Sequence, residues 1–251
     1  MKISIITVCY NSQAFISSAI ESVISQDYDQ AEFIIIDGAS TDDTVSIVHS
    51  FGDSVSYFIS EPDKGIYDAM NKGVQRATGD IIGILNSDDF YLNDQVLHQV
   101  AELFAADPEL EVVLGDVDLV NDDDLTRPVR RYPVGNFKPW MFRFGLMPPH
   151  PAVFVRKSSY ERVGLYKLGY KIAADFDLLT RLLLIDGAKY QVAHKTWVRM
   201  RTGGASTSGL NSVMIITREM KRSLQENDMY TNQLMLACRL PFKLLTQVLR
   251  K

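Results

Sequence analysis

From Ile3 to Asp89 the chain alternates short apolar runs with amphipathic stretches. Ile3 to Val8 is a β-branched run, the pattern of a strand buried on both faces. It stops at Tyr10-Asn11-Ser12, where Asn11 or Ser12 can cap a helix. Phe15, Ile16, Ala19, Ile20, Val23 and Ile24 then recur at three-and-four spacing and form one helical stripe. Phe33 to Ile36 reads as a second buried strand, ending at Asp37-Gly38. Ser40-Thr41-Asp42-Asp43 has the pattern of a cap and first turn, leading a helix with Val45, Ile47 and Val48. Tyr57 to Ser60 predicts a third strand, Ile66 to Arg76 a helix, and Ile81 to Leu85 a fourth strand, with Asn86-Ser87-Asp88-Asp89 directly after it.

Strand, helix, strand, helix is the rhythm of a parallel sheet with right-handed crossovers, so the fold class is α/β, with a Rossmann-like, mostly parallel sheet flanked by helices. In such sheets ligands bind outside the carboxyl ends of the strands. Three strand ends here release polar clusters: Tyr10-Asn11, Asp37-Gly38 and Asn86 to Asp89. The second half is less regular. Val112 to Leu114 predicts a strand, followed by the acidic stretch Asp116 to Asp124. Arg130 to Pro151 is rich in Pro, Gly and aromatics and reads as an ordered binding loop. A helix starts near Asp175 and continues through Leu178 to Leu184, with Arg181 on a polar face, and Gly203-Gly204 opens a flexible loop.

The 251 residues suit one large α/β domain, or a domain with a small appendage. A net charge of -5 argues against nucleic acid as a partner, and a phosphorylated ligand then needs a metal or a local basic cluster to offset the acids. Cys9 and Cys238 form neither a disulfide framework nor a zinc spacing. Cys9 reads as a small core residue, and a reducing, cytoplasmic location is expected. The N-terminal apolar run is too short to span a membrane and lacks a signal-cleavage pattern.

Two nucleotide motifs are missing from the sequence, the G-x-G-x-x-G turn and the Gly-Lys-Ser/Thr P-loop. Adjacent carboxylates at Asp88 and Asp89, after an apolar strand, need cationic compensation. Mg2+ or Mn2+ bridging carboxylate and substrate phosphate would supply it; the alternative is a turn capping a helix near Leu92.

Five ordered motifs now stand together: Ile-Ile-Thr-Val-Cys-Tyr-Asn (5–11), Ile-Asp-Gly-Ala-Ser-Thr-Asp-Asp-Thr (36–44), Glu-Pro-Asp-Lys-Gly-Ile-Tyr-Asp-Ala-Met-Asn-Lys-Gly (61–73), Gly-Asp-Ile-Ile-Gly-Ile-Leu-Asn-Ser-Asp-Asp (79–89) and Ala-Ala-Asp-Phe-Asp-Leu-Leu-Thr-Arg-Leu (173–182). As a set they resemble family 2 glycosyltransferases, in particular the bacterial exopolysaccharide and lipopolysaccharide branch with its colanic-acid-type enzymes. The resemblance covers roughly residues 1–207 and implies the GT-A fold, with 1–110 as nucleotide-binding half, 111–207 as acceptor-binding half, and 208–251 as a helical C-terminal extension. It implies an inverting transfer from a nucleotide-sugar, typically a UDP-sugar, to a saccharide or lipid-linked acceptor in surface polysaccharide synthesis. Thr7, Val8 and Tyr10 would line the nucleotide pocket, Asp37 would hydrogen-bond the base, and Lys64 would offset the nucleotide's charge. Asp88 and Asp89 would hold ribose and metal, and Asp175 would be the catalytic base. The sequence departs from the family pattern at Asn86, where the first acid of an Asp-x-Asp usually stands, and at Ala174, often a glutamate.

Two other functions compete. A sugar nucleotidyltransferase needs a Gly-rich basic loop after the first strand, which Thr7 to Ser12 does not offer. A non-catalytic nucleotide- or glycan-binding relative is disfavoured by the retained Asp89 and Asp175.

Among the remaining polar residues, Asp116-Val117-Asp118 reads as structural, with an acceptor-site role as the minority view, and Asp122-Asp123-Asp124 as a solvated turn. Asp177 supports the Asp175 helix in this reading. His49 and His98 belong on helix surfaces, and His194 has no partner pattern. His150, held between prolines, is either an acceptor or diphosphate contact or a loop residue. Arg199 and Arg201 either reach the diphosphate as a lid closes or form a solvated strand end. In the tail, Leu234, Leu240, Leu244, Leu245, Val248 and Leu249 with Arg239, Lys243, Arg250 and Lys251 either meet a membrane surface or pack on the core or a second subunit as a homodimer.

Overall fold

The computed structural model describes residues 1–203 and 210–239. Seven elements follow the rhythm of the first third: β1 (Ile3–Cys9), α1 (Ile16–Ile24), β2 (Ala31–Asp37), α2 (Thr44–Ser50), β3 (Tyr57–Ser60), α3 (Ile66–Arg76) and β4 (Ile81–Ile84). Then come β5 (Phe90–Tyr91), α4 (Val96–Ala106), β6 (Val112–Asn121), β7 (Asp124–Tyr132), β8 (Val153–Arg156), α5 (Lys157–Val163), α6 (Ala174–Leu179), β9 (Tyr190–Arg201), α7 (Leu210–Glu226) and α8 (Gln233–Ala237). Among the described residues the strands form one sheet in the order β3-β2-β1-β4-β8-β6-β9-β5, with β7 on β6.

The strands β3, β2, β1 and β4 run parallel, joined by crossover helices as the βα rhythm requires. All seven residues of β1 are buried, because it lies in the middle of this block with helices on both faces. Antiparallel pairing begins at β8, which separates β4 from β6, and β9 returns parallel beside β6. Strand alternation divides the core in two. Ile6, Val8, Ile34 and Ile36 face α3 and α6, whereas Ile3, Ile5, Phe33 and Ile35 face α1 and α4. Helix α3 lies close on β1 at Gly73, where a Cβ would stand 2.4 Å from Ile6 Cγ2.

Several expectations change. Neither Asn11 nor Ser12 caps α1 through its side chain; the helix begins at Ile16, one turn beyond Ser12, whose carbonyl accepts from Phe15 and Ile16. Asn11 has a φ of 49° and its Oδ1 accepts from Thr41 N at 2.9 Å, tying the β1 end to the loop after β2. Ile24 is exposed, so the buried stripe is Ile16, Ala19, Ile20 and Val23. Strand β6 does not stop at Leu114 but runs through Asp116 and Asp118, whose carboxylates are taken up by Val134 N at 2.8 Å and by Arg131. Arg130 to Tyr132 belong to β7, so the Pro- and aromatic-rich loop starts after it. Arg181 is not on a polar face: it pairs with the fully buried Asp177 at 2.8 Å. Arg239 turns onto α7, donating to Thr217 Oγ1 at 2.8 Å, and the tail from Leu240 lies outside the described residues. No helix among the described residues is long and apolar enough to cross a membrane.

Candidate active site

The carboxyl ends of β1 and β4, the N-terminus of α3 and the segment leading into α6 enclose a cavity of about 530 Å³. Its wall includes Val8, Tyr10, Asp63, Tyr67, Asn86, Asp88, Asp89, His150, Lys171, Asp175 and Arg201. Asp175, 86 residues beyond Asp89, therefore shares one chamber with Asp88 and Asp89.

On the β4 side, Asn86 Nδ2 donates to Asp89 Oδ2 at 3.1 Å. The other oxygens, Asn86 Oδ1 and Asp89 Oδ1, are buried without a hydrogen-bond partner. Burial raises the pKa of Asp88; burial and then the charge of Asp88 raise that of Asp89. Orphaned buried acceptors beside crowded carboxylates fit a hard divalent cation. Among the described residues no cluster of three His, Cys, Asp or Glu side chains has the arrangement of a complete metal cage. The residues present thus suit a cation that completes its shell with substrate phosphate and water, the habit of Mg2+.

Asp37 sits elsewhere. It is fully buried, and its Oδ2 accepts from Ser40 N at 2.9 Å and Ser60 Oγ at 2.6 Å. Its Oδ1 accepts from Ser40 Oγ at 2.5 Å and Cys9 Sγ at 3.5 Å. These four bonds fill the acceptor capacity of a carboxylate, so Asp37 holds the β2 end together. Asp63 lines the chamber beside it, and Gly38 makes room: a Cβ there would lie 2.6 Å from Asp63 Oδ2. Thr7 shares the β1 face of Ile3 and Ile5 and is absent from the wall, whereas Val8 and the exposed Tyr10 contribute to it. Burial and then Asp37 push the Cys9 thiol well up, which keeps it an uncharged core group.

On the opposite element, Asp175 stands in the first turn of α6 and accepts from Phe176 N at 2.8 Å. Burial pushes its pKa up to about 6, against the lowering pull of that amide and the Tyr67 hydroxyl. His150 Nε2 lies 2.8 Å from the Tyr166 hydroxyl, and burial lowers its pKa to about 4. It is a neutral ring at pH 7.

The Glycosyl transferase family 2 profile matches residues 4–163. The chain belongs to glycosyl transferase family 2. It is 30% identical over 181 residues to a PGL/p-HBAD biosynthesis glycosyltransferase of Mycobacterium bovis, covering 71% of this chain and 68% of the relative. In structure it is similar to TarS of S. aureus in complex with UDP-GlcNAc, with a TM-score of 0.71 and 18% identity over 96% of this chain and 72% of that one. It is also similar to a mannosyltransferase of Pyrobaculum calidifontis in complex with GDP-Man and Mn2+, with a TM-score of 0.66 and 18% identity over 90% and 63%. At these identities the likeness to the solved structures is one of fold.

In this glycosyltransferase the basic residues expected at the site separate. Lys64 is exposed and lines an adjoining pocket of about 260 Å³ with Lys171, the two pockets meeting at Gly65, Ile66 and Tyr67. Arg199 donates to Thr126 O at 3.1 Å and is not in the wall. Arg201 is in the wall, 8% exposed, with its guanidinium over the rings of Phe15 and Phe90. It donates to Ser18 Oγ at 3.0 Å and pairs with Asp122 at 2.7 Å, so the Asp122 turn is tethered rather than merely solvated. The loop after Gly203, expected to be flexible and offered as a lid in one of two readings of Arg199 and Arg201, lies outside the described residues. Sequence reasoning missed Asp63, one step from the chosen Lys64, and Tyr67 and Lys171, whose role shows only once α3 meets the α6 segment.

Proposed function

We propose that this family 2 glycosyltransferase moves a sugar, with inversion, from a nucleoside diphosphate sugar to a hydroxyl of a saccharide or lipid-linked acceptor. The observation that carries this reading is the shared chamber, with the Asn86–Asp89 turn and Asp175 in the same wall. Asp175, with a pKa near 6, is ionised at pH 7 yet still basic enough to take the proton of an attacking hydroxyl. The acceptor oxygen forms its bond to the anomeric carbon as the bond to the diphosphate oxygen breaks, and that electron pair leaves with the nucleoside diphosphate. A cation held by Asp88 or Asp89 would supply charge stabilisation on the departing phosphates. Tyr10, exposed at the chamber edge, offers a flat face to a base.

A UDP-sugar is the first donor to test, supported by the UDP-GlcNAc complex of the S. aureus neighbour; the GDP-Man complex of the archaeal one makes GDP-sugars the second. The mycobacterial relative's place in PGL/p-HBAD biosynthesis supports a surface glycolipid or polysaccharide product. The test is binding and transfer with UDP-, GDP- and dTDP-sugars, with and without Mn2+ or Mg2+. Failure of every donor to bind in both conditions overturns the reading.

A further inference from the structure

Helix α7 sends a buried carboxylate into the segment that carries Asp175. Glu219 is 8% exposed, and its Oε1 accepts from Lys171 N at 2.6 Å. Its Oε2 accepts from Ile172 N and Ala173 N, both at 2.9 Å. Three consecutive amides thus converge on one side-chain anion, a concave nest of the kind that fixes backbone conformation. The nest ends two residues before Asp175, and Lys171 and Ile172 themselves line the chamber. One turn along α7, Ser223 Oγ donates to Asp177 at 2.9 Å, and just past the helix end Asn227 Nδ2 does so at 3.3 Å. Helix α7 therefore grips both sides of Asp175 and lies beyond the residues matched by the family profile.

We infer that Glu219 is a positioning residue for the transfer: it sets the backbone at 171–173, and through it the direction of the Asp175 carboxylate in the chamber. This rests on the reading of Asp175 as the base. The contact is charge-assisted, so a neutral amide cannot reproduce it: a glutamine keeps one acceptor oxygen and presents an N–H₂ to one of the donating amides. Burial is the main cause of the raised pKa of Asp175, and the charge of Glu219 adds to it, whereas the Tyr67 hydroxyl lowers it.

The experiment compares the full chain with Glu219→Gln, Glu219→Asp and Asp175→Asn, using transfer kinetics, donor titration, thermal melting and a pH profile. Glu219→Gln should lower kcat by on the order of 10²-fold, because a displacement of about 1 Å at a reacting group has that effect. Donor affinity should stay within twofold, since the β1 and β4 side of the chamber is untouched. The acidic limb of the kcat profile should move to lower pH, as a negative charge near Asp175 is gone; a structural defect alone would not shift it. Glu219→Asp keeps the charge but withdraws the carboxylate by one methylene, so it should lose kcat without shifting the limb; this second variant decides the matter if Glu219→Gln does not fold. A folded Glu219→Gln or Glu219→Asp with kcat within twofold of the parent, while Asp175→Asn is inactive, overturns the positioning role. An active Asp175→Asn overturns the base reading instead.

Discussion

Asn86 and Asp89 are bound to each other by one hydrogen bond of 3.1 Å, and Asn86 Oδ1 and Asp89 Oδ1 are buried with no partner. An amide, unlike a carboxylate, can donate to Asp89, so Asn86 holds that side chain without adding a third negative charge beside Asp88 and Asp89. Asn86→Asp should therefore raise the pKa of the cluster further and make donor binding depend more steeply on divalent cation. Asp89→Asn should weaken Mn2+-dependent donor binding by about tenfold or more, since a charged ligand contact of roughly 1.5–3 kcal/mol is removed. Calorimetric titration of the donor with and without Mn2+ reads both, and unchanged metal dependence in Asp89→Asn would count against a metal at this turn.

The environment of Asp175 fixes two pH dependences. With Asp175 as the proposed base, kcat should rise as pH increases through about 6 and then level off, and Asp175→Asn should be inactive across the range. Stability runs the other way. A carboxyl whose folded pKa is raised above 3.8 favours folding fully below about pH 4, and this contribution is lost as pH rises through about 6. Asp175→Asn should then be more stable than the parent at pH 8, by on the order of 3 kcal/mol. The gap should close toward pH 4. Urea melts at several pH values measure it; a variant less stable at pH 8 contradicts the burial of this charge.

The first half of the fold was readable because its strands are buried on both faces and its helices carry one apolar stripe. Helix α3 was expected and observed over the same residues, Ile66 to Arg76. The second half hid itself in pairings that composition does not signal. Asp116 and Asp118 read as an acidic stretch that follows a strand, yet they lie inside β6 because Val134 N and Arg131 satisfy them. Strand β9 inserts between β6 and β5, a long-range pairing without a local marker. Of the site, the strand-end acids were legible from their position after apolar runs. Asp175 was legible only through family resemblance, and Glu219 through nothing local, since its partners are backbone amides that every residue but proline has. Asp37 stood at a strand end like the others, but its bonds to Ser40, Ser60 and Cys9 become visible only when β2, β3 and β1 are side by side.

Arg181 illustrates a buried pair that should be costly to break. Its Nε meets Asp177 at 2.8 Å, and its other nitrogens donate to the carbonyls of Val163, Gly164 and Leu165. Arg181→Met would strand the buried Asp177 charge, with Lys167 as the remaining cation at 3.3 Å, and orphan those carbonyls. The expected loss is about 3 kcal/mol. Replacing both partners together, as Asp177→Leu with Arg181→Met, should cost less than the sum of the single changes. Denaturant melts of the four proteins close this cycle, and strict additivity would show that the pair is not coupled.

Gly73 gives the sharpest packing test, because two effects oppose each other there. On helix propensity alone, Gly73→Ala should stabilise α3 by about 1 kcal/mol. But the added Cβ would lie 2.4 Å from Ile6 Cγ2, on a fully buried strand with no free side to yield. Overpacking of this kind costs about 1–3 kcal/mol, so the net change should be destabilising and α3 should lift from β1. That lift would move Tyr67 and Met70, which line the chamber, so donor affinity should fall together with the melting temperature. In the background of Ile6→Ala, where the clashing methyl is gone, Gly73→Ala should become neutral or stabilising. Thermal melts of the two single variants and the double variant decide it: a Gly73→Ala protein that melts higher than the parent would mean that α3 does not lie as close to β1 as the structure has it.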